Sequence, residues 1–411
     1  MADKDLTELL ARMAATRVPR RSFLAASGYL GIGATLAACG AGAATPAPSA
    51  APATPAPTGD DPVPPTEAPA TAEVTPAPAV ESELWMLNWS EYDDPENMEA
   101  FKAEYGVQNF QYDIFSSDDE LQAKLAAGAT GYDIAAPTAL FLPVMVQNGY
   151  IQKLDYSRIP NFKHIDPNVL GQPWDPNNEY HVPKDFGTTG ILVRSKLVPE
   201  PVTSWREFYD LAKGKYSGKI VLADSALDIL PMPLKMLGYS LNSTDPKELA
   251  EAKDLLLDLA PHILALDSDT YGDKLASGEA VMAVAWTGPL ADLRADPETA
   301  DIKYVIPSEG TLFWLDGWVL MADAPHPNAA YAWFDFVERP EVQAKEAIFT
   351  GYATPNLEAA KLLPPEFLND PAIFPPAEVM SLLEGADPNA ASNEARLEVW
   401  TEFKSRIGSA G

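Results

Sequence analysis

Residues 83–136 read ELWMLNWSEYDDPENMEAFKAEYGVQNFQYDIFSSDDELQAKLAAGATGYDIAA, and the alternation of texture along this stretch decides the fold. Leu84 to Leu87 is a short apolar strand. Asp94-Pro95 then opens a helix and Gly106 closes it, because proline suits the first helical position and glycine the position just past the end. Phe110 to Phe115 is a second strand, and Ser117 with Glu120 makes a capping box for a helix through Ala127. Tyr132 to Ala136 is a third strand, followed by another helix from Thr138. Strands that alternate with helices in this way predict a largely parallel α/β sheet.

Downstream the pattern resumes. After Pro201, Ser204 and Glu207 cap one helix, Lys219 to Ala223 is a strand, Pro246 to Leu259 is a long helix and Val281 to Trp286 is another strand. A second α/β lobe is the simplest account. One more strand at Phe313 to Met321 precedes a mostly helical third, with helices expected over 328–337, 340–350, 356–363 and 389–406. There is no internal repeat. Neither a phosphate loop nor a dinucleotide fingerprint interrupts these lobes, so the cleft between them is the default site.

The chain has 411 residues with 46% hydrophobic content, enough for two domains with cores of their own. Its formal charge is -30, and setting aside residues 1 to 38, with five basic and three acidic side chains, leaves 24 basic against 56 acidic, or -32. Such a surface is a poor partner for nucleic acid. An acidic field attracts cations, but screening beyond roughly 8 Å at physiological salt keeps it from specifying one. His164, His181, His262 and His326 share no metal-ligand spacing, so neither a zinc site nor another metal or cofactor is expected. No Gly-x-Ser-x-Gly elbow or histidine pairing argues for an enzyme.

Residues 1 to 38 read as an export signal. Basic charge ends at Arg20-Arg21, and Phe23 to Ala38 is an uncharged, small and apolar run. Pro19-Arg20-Arg21-Ser22-Phe23-Leu24 resembles a twin-arginine signal, although Pro19 and Ala25 depart from its usual flanks, which leaves the general secretory route open. At 16 residues the run is short for a spanning helix, which needs about 20. Leu36-Ala37-Ala38-Cys39-Gly40 resembles a lipobox, in which Cys39 receives a diacylglycerol and becomes the new amino terminus. As the sole cysteine, Cys39 can form no intramolecular disulfide. Residues 39 to 80 then form a tether. Gly40 to Val80 holds 11 prolines and no aromatic residue, a composition that builds no core and favours extended polyproline II segments.

From Leu84 nearly to its end the chain resembles the spermidine/putrescine-binding proteins of bacterial polyamine ABC transporters, which have the two-lobed type II periplasmic-binding-protein fold. The resemblance rests on Asn88-Trp89-Ser90-Glu91-Tyr92, Tyr132-Asp133-Ile134 with Pro137-Thr138, and Pro173-Trp174-Asp175-Pro176-Asn177-Asn178, in that order. Leu237-Gly238-Tyr239-Ser240, Phe313-Trp314-Leu315-Asp316 and Gly351-Tyr352-Ala353-Thr354-Pro355-Asn356 continue it. It implies that residues 81–188 and 315–361 form one lobe, and 189–314 and 362–411 the other, with a ligand cleft between them that closes by hinge motion. It further implies an extracytoplasmic protein that binds a polyamine, delivers it to permease subunits and catalyses nothing; the lipobox-like sequence adds an anchor at Cys39, and a monomer suits such a shuttle. Another solute-binding lipoprotein, or a ligand-dependent sensor partner, is the alternative.

By the same resemblance Trp89, Tyr92, Trp286, Trp314 and Tyr352 match the family's aromatic positions, Ser90, Glu91 and Thr138 its polar contacts, and Asp228 and Asp316 its carboxylates. One feature can be read from the residues themselves. Trp314 and Asp316 are two apart, so on a strand they face one side and a single ammonium can meet ring and carboxylate together. Trp85, Trp174, Trp205, Trp318, Trp333 and Trp400 are expected in the core instead. Leu140 stands where the spermidine binders have a tyrosine, Ser225 where they have an aspartate, and Asp228 where they have a longer glutamate. One ring and one charge fewer leave open a shorter diamine, spermidine bound differently, or another small cation as ligand.

Overall fold

The computed structural model of the chain describes residues 79–407. Cys39, the export signal and all of the tether before Ala79 lie outside the described residues. Twelve strands are seen: β1 (Glu83–Asn88), β2 (Asn109–Ile114), β3 (Ile134–Ala135), β4 (Ile151–Gln152), β5 (Val182–Thr188), β6 (Gly190–Arg194), β7 (Ile220–Leu222), β8 (Ala265–Leu266), β9 (Met282–Ala285), β10 (Ile302–Val305), β11 (Leu312–Met321) and β12 (Glu384–Gly385). They form two sheets. The first runs β12-β11-β3-β1-β2, with β4 and β5 also paired to β11; the second runs β10-β6-β9-β7-β8.

The α/β, two-lobed architecture holds, but neither sheet is uniformly parallel. β1 pairs in parallel with β2 and β3, and β7 with β8 and β9, as the strand-helix alternation requires. β11 is antiparallel to β3, β4 and β5, and β6 is antiparallel to β9 and β10. The antiparallel strands are those at which the chain changes sheets. β5 belongs to the first sheet and β6 to the second, with Thr189 alone between them. The return lies between Val305 and Leu312, and β11 runs as one strand across the lobe boundary expected at residue 314.

Both faces of each sheet are covered. In the first, Leu84 and Met86 point into a core with Phe101, Trp318, Trp333 and Phe334, while Leu87 faces the opposite core with Phe115, Leu121, Leu142 and Phe186, the period-2 alternation of a strand. The second packs Trp205, Phe208, Leu256, Val284, Trp400 and Phe403 on one side, and Leu192, Val221, Ala283 and Leu275 on the other. Trp205, Trp318, Trp333 and Trp400 are thus core residues as expected, whereas Trp85 and Trp174 are half-buried.

Helix ends follow the local chemistry. Asp94 and Ser117 accept the first free amides of the helices at Pro95–Tyr105 and Asp118–Ala126, and Gly106 ends the former in the left-handed region. The expected helix over 389–406 is instead two, Pro388–Ala391 and Glu394–Arg406. Asn393 causes the break, because its side chain accepts the Arg396 amide and starts the second helix afresh.

Candidate functional site

All ten residues singled out from the sequence line one cavity of about 470 Å³, with the sheets contributing from both sides. From the first sheet's side, Trp89, Ser90, Glu91 and Tyr92 form the turn that leaves β1 for the Pro95–Tyr105 helix. This turn is tightly held. Trp89 Nε1 donates to the Ala136 carbonyl at 2.8 Å, Tyr112 donates to the Trp89 carbonyl at 2.7 Å, and Asn88 donates to buried Asp93 at 2.6 Å. Glu91 is exposed with φ 51°, a left-handed conformation uncommon outside glycine.

Thr138 precedes a turn of 3-10 helix at Ala139–Phe141 and bridges Asp316 in antiparallel fashion. Trp314 and Asp316 lie on β11 and both reach the cavity, as their spacing requires. Tyr352 follows Gly351, whose φ of 71° ends the Pro340–Thr350 helix. The second sheet supplies Trp286, just beyond β9, and Asp228, on the short helix Ala226–Ile229.

The rings form a continuous wall. Trp314 and Tyr352 meet edge to face with centroids 5.0 Å apart, Tyr352 and Tyr92 are 5.8 Å apart, and Trp89 and Trp286 meet across the two sheets at 6.1 Å. Trp314 lies against Gly187, where an added Cβ would come 2.5 Å from its ring.

The carboxyls are buried. Asp228 accepts from Trp286 Nε1 at 2.9 Å and from the Thr189 hydroxyl, and burial raises its pKa against the hydrogen bonds of Ser225, Thr189 and Trp286. Ser225, where a second acid was absent from the motif, instead caps the helix that carries Asp228. Leu140 is buried in the 3-10 turn and is not among the lining residues. Burial, and then the charge of Asp185, push the Asp316 carboxyl up to about 8. Its Oδ1 and the Trp314 indole nitrogen are buried with no hydrogen-bond partner. Both atoms belong to residues that line the cavity and are themselves covered in this conformation.

Sequence reasoning missed Lys184 and Asp185. Both are buried on β5, paired at 3.0 Å, with Lys184 Nζ 4.0 Å from the centre of the Tyr92 ring. Tyr92 joins them to the site, its hydroxyl lying 2.6 Å from Asp185 and 2.7 Å from Asp316. Burial opposes the Lys184 charge, yet Asp185, Asp93 and Glu346 together raise its pKa. The available signal was two adjacent opposite charges inside a stretch flanked by Val182 and Phe186, which buried strands rarely carry unpaired. Among the described residues no group of acids, histidines or cysteines is arranged to hold a metal, and no helix is long and apolar enough to cross a membrane.

Comparison with known proteins agrees with this geometry. Residues 96–375 match the bacterial extracellular solute-binding protein family. The chain is 36% identical over 323 residues to the spermidine/putrescine-binding periplasmic protein of Escherichia coli, covering 78% of this chain and 91% of that one. It is 34% identical over 342 residues to the putrescine/agmatine-binding protein of Pseudomonas aeruginosa, covering 79% and 93%. Its fold resembles that of the Tp0655 lipoprotein of Treponema pallidum, with a TM-score of 0.67 and 26% identity over 78% of this chain and 99% of that one. The chain therefore belongs to the bacterial extracellular solute-binding protein family, in the group of the spermidine/putrescine-binding periplasmic proteins.

Proposed function

We propose that this chain is the extracytoplasmic polyamine receptor of an ABC importer, and that Trp89, Ser90, Glu91, Tyr92, Thr138, Asp228, Trp286, Trp314, Asp316 and Tyr352 contact the ligand. The observation that carries this reading is that two buried carboxyls from opposite sheets share one cavity with an unbroken aromatic wall. A polyamine is a methylene chain with ammonium groups at intervals, so carboxylates serve the amines and flat rings serve the carbons. A cation over an aromatic face gains about 0.5–2 kcal/mol, and an ammonium hydrogen bond to a carboxylate roughly 1.5–3 kcal/mol. A few such contacts suffice for micromolar affinity. The Escherichia coli relative is named for binding spermidine and putrescine and the Pseudomonas aeruginosa one for putrescine and agmatine, and the burial of Leu140 away from the cavity favours the shorter diamine here.

The lobes follow the expected division, 81–188 with 315–361 and 189–314 with 362–411, except that the second boundary moves back to the stretch between Val305 and Leu312 because β11 is one strand of the first sheet, and they close on the ligand about that crossing and Thr189. Permease subunits recognise the closed monomer, and no reaction is catalysed. Isothermal titration with putrescine, spermidine, spermine and arginine tests the ligand. Micromolar or tighter binding of an amine supports the reading; absence of heat from every amine well above micromolar concentration overturns it.

Cys39 carries the lipid anchor after export by the twin-arginine or the general secretory route, and the proline-rich tether lets the receptor reach its permease. The lipobox-like sequence supports this, as does the description of the Treponema pallidum relative as a lipoprotein. Each buried methylene of an acyl chain contributes about 0.8 kcal/mol, so two or three chains hold a protein on a bilayer. Cys39→Ser is expected to move the protein from the membrane fraction to the soluble fraction. Unchanged membrane retention in that variant contradicts the anchor.

A further inference from the structure

The Tyr92 hydroxyl oxygen lies 2.6 Å from Asp185 Oδ1 and 2.7 Å from Asp316 Oδ2. Two oxygen contacts of that length are two hydrogen bonds, and each needs a proton. A phenol supplies one. The second belongs to a carboxyl. Asp185 is the anion of the two, because its Oδ2 takes the Lys184 ammonium at 3.0 Å with both side chains almost fully buried. Asp316 has no such cation, and its Oδ1 is buried without a partner. Hydrogen bonding therefore runs from the Asp316 carboxyl to Tyr92 and from Tyr92 to the Asp185 carboxylate.

The ionisable groups around Asp316 come from four parts of the fold. They are Tyr92 after β1, Asp118 on the Asp118–Ala126 helix, Lys184 and Asp185 on β5, and Tyr352 after the Pro340–Thr350 helix. Only Lys184 among them is a cation, and its charge is divided among Asp185, Asp93 and Glu346. A second carboxylate in this interior would lack compensation. Burial, and then the Asp185 charge, accordingly hold Asp316 up to about 8.

We propose that Asp185, acting through Tyr92, makes Asp316 a proton-carrying group of the ligand site, and that a ligand ammonium takes the place of this proton, so that binding releases close to one proton. The inference rests on the polyamine reading and deepens it. The exchange balances: the Asp316 proton leaves to solvent, the carboxylate formed pairs with the incoming ammonium, and the buried charge stays constant. A neutral solute has no charge to exchange for that proton and leaves Asp316 protonated, so proton release marks a cationic ligand, and Asp185, which acts through Tyr92, is a positioning residue.

The test is calorimetric titration of the full chain with putrescine at pH 7 in phosphate and in Tris, whose ionisation heats differ widely. The amines are already protonated there, so the buffer dependence reports protons lost by the protein. The expected result is release of close to one proton by the unaltered chain. In Asp185→Asn, measurable binding with release reduced severalfold is expected, because the charge that raises Asp316 is gone and Lys184 is freed. Heat independent of buffer in the unaltered chain overturns the inference, as does full release in the variant, which would show that burial alone, or another group such as Asp228 or Glu346, holds the proton without Asp185. Should Asp185→Asn fail to fold, the pH profile of the unaltered chain decides. Affinity rising roughly tenfold from pH 6 to pH 7 and levelling above pH 8 supports the exchange, and a flat profile overturns it. Binding without proton release sinks this inference alone, whereas no putrescine binding at any pH sinks the polyamine reading and this inference with it.

Discussion

Asp316 is the side chain at which folding and binding pull in opposite directions. Its carboxyl is held up to about 8 against an ordinary 3.8, so between those values the folded chain binds more protons than the unfolded one. Stability from this group is then present at low pH and lost as pH rises from about 4 through about 8. Asp316→Asn keeps the shape and removes the ionisation. It should unfold at higher denaturant than the unaltered chain at pH 8, by a clearly smaller margin at pH 5, and yet bind putrescine at least roughly tenfold more weakly. Denaturant midpoints at the two pH values, with a titration at each, check this; a variant less stable at pH 8 would contradict it. The ten residues singled out were placed on one cavity wall, and what pointed to them in the sequence was mainly the order of matched motifs, with spacing as well for Trp314 and Asp316. Lys184 and Asp185 were not legible, because a buried ion pair leaves no periodic trace and lies in none of those motifs.

Among the elements, β1, the Pro95–Tyr105 helix and β2 were readable because an apolar run, an aspartate cap with a closing glycine, and a polar-apolar alternation follow one another. β5 and β6 were not foreseen. Val182-Pro183-Lys184-Asp185 puts a proline and two charges into a fully buried strand, which hides the pattern that normally announces one. The same strands carry the chain between the sheets and hold Asp185 behind the site. Gly187 on β5 provides the floor for Trp314, since a Cβ there would come 2.5 Å from the indole. Overpacking of that kind costs about 1–3 kcal/mol. Gly187→Ala is expected to displace Trp314, to lower the denaturant midpoint and to weaken putrescine binding roughly tenfold while far-ultraviolet circular dichroism stays unchanged. Undiminished affinity in that variant would show that Trp314 contributes nothing to the ligand wall.

At the scale of the molecule, the two-lobed α/β plan was legible because strand-helix alternation appears twice, with a texture break before Glu83. Sheet composition was not, since whether β11 joins the first or the second sheet depends on pairing between residues more than a hundred positions apart. That pairing brings carboxyls from both sheets to one aromatic cavity, and the account rests on the cavity selecting for charge at both ends of a short chain. The most direct test is a calorimetric comparison of putrescine with butane-1,4-diol, which has the same four carbons and no charge. Micromolar or tighter binding of putrescine and no detectable binding of the diol are expected. Equal binding of the two, or binding of neither, would contradict it.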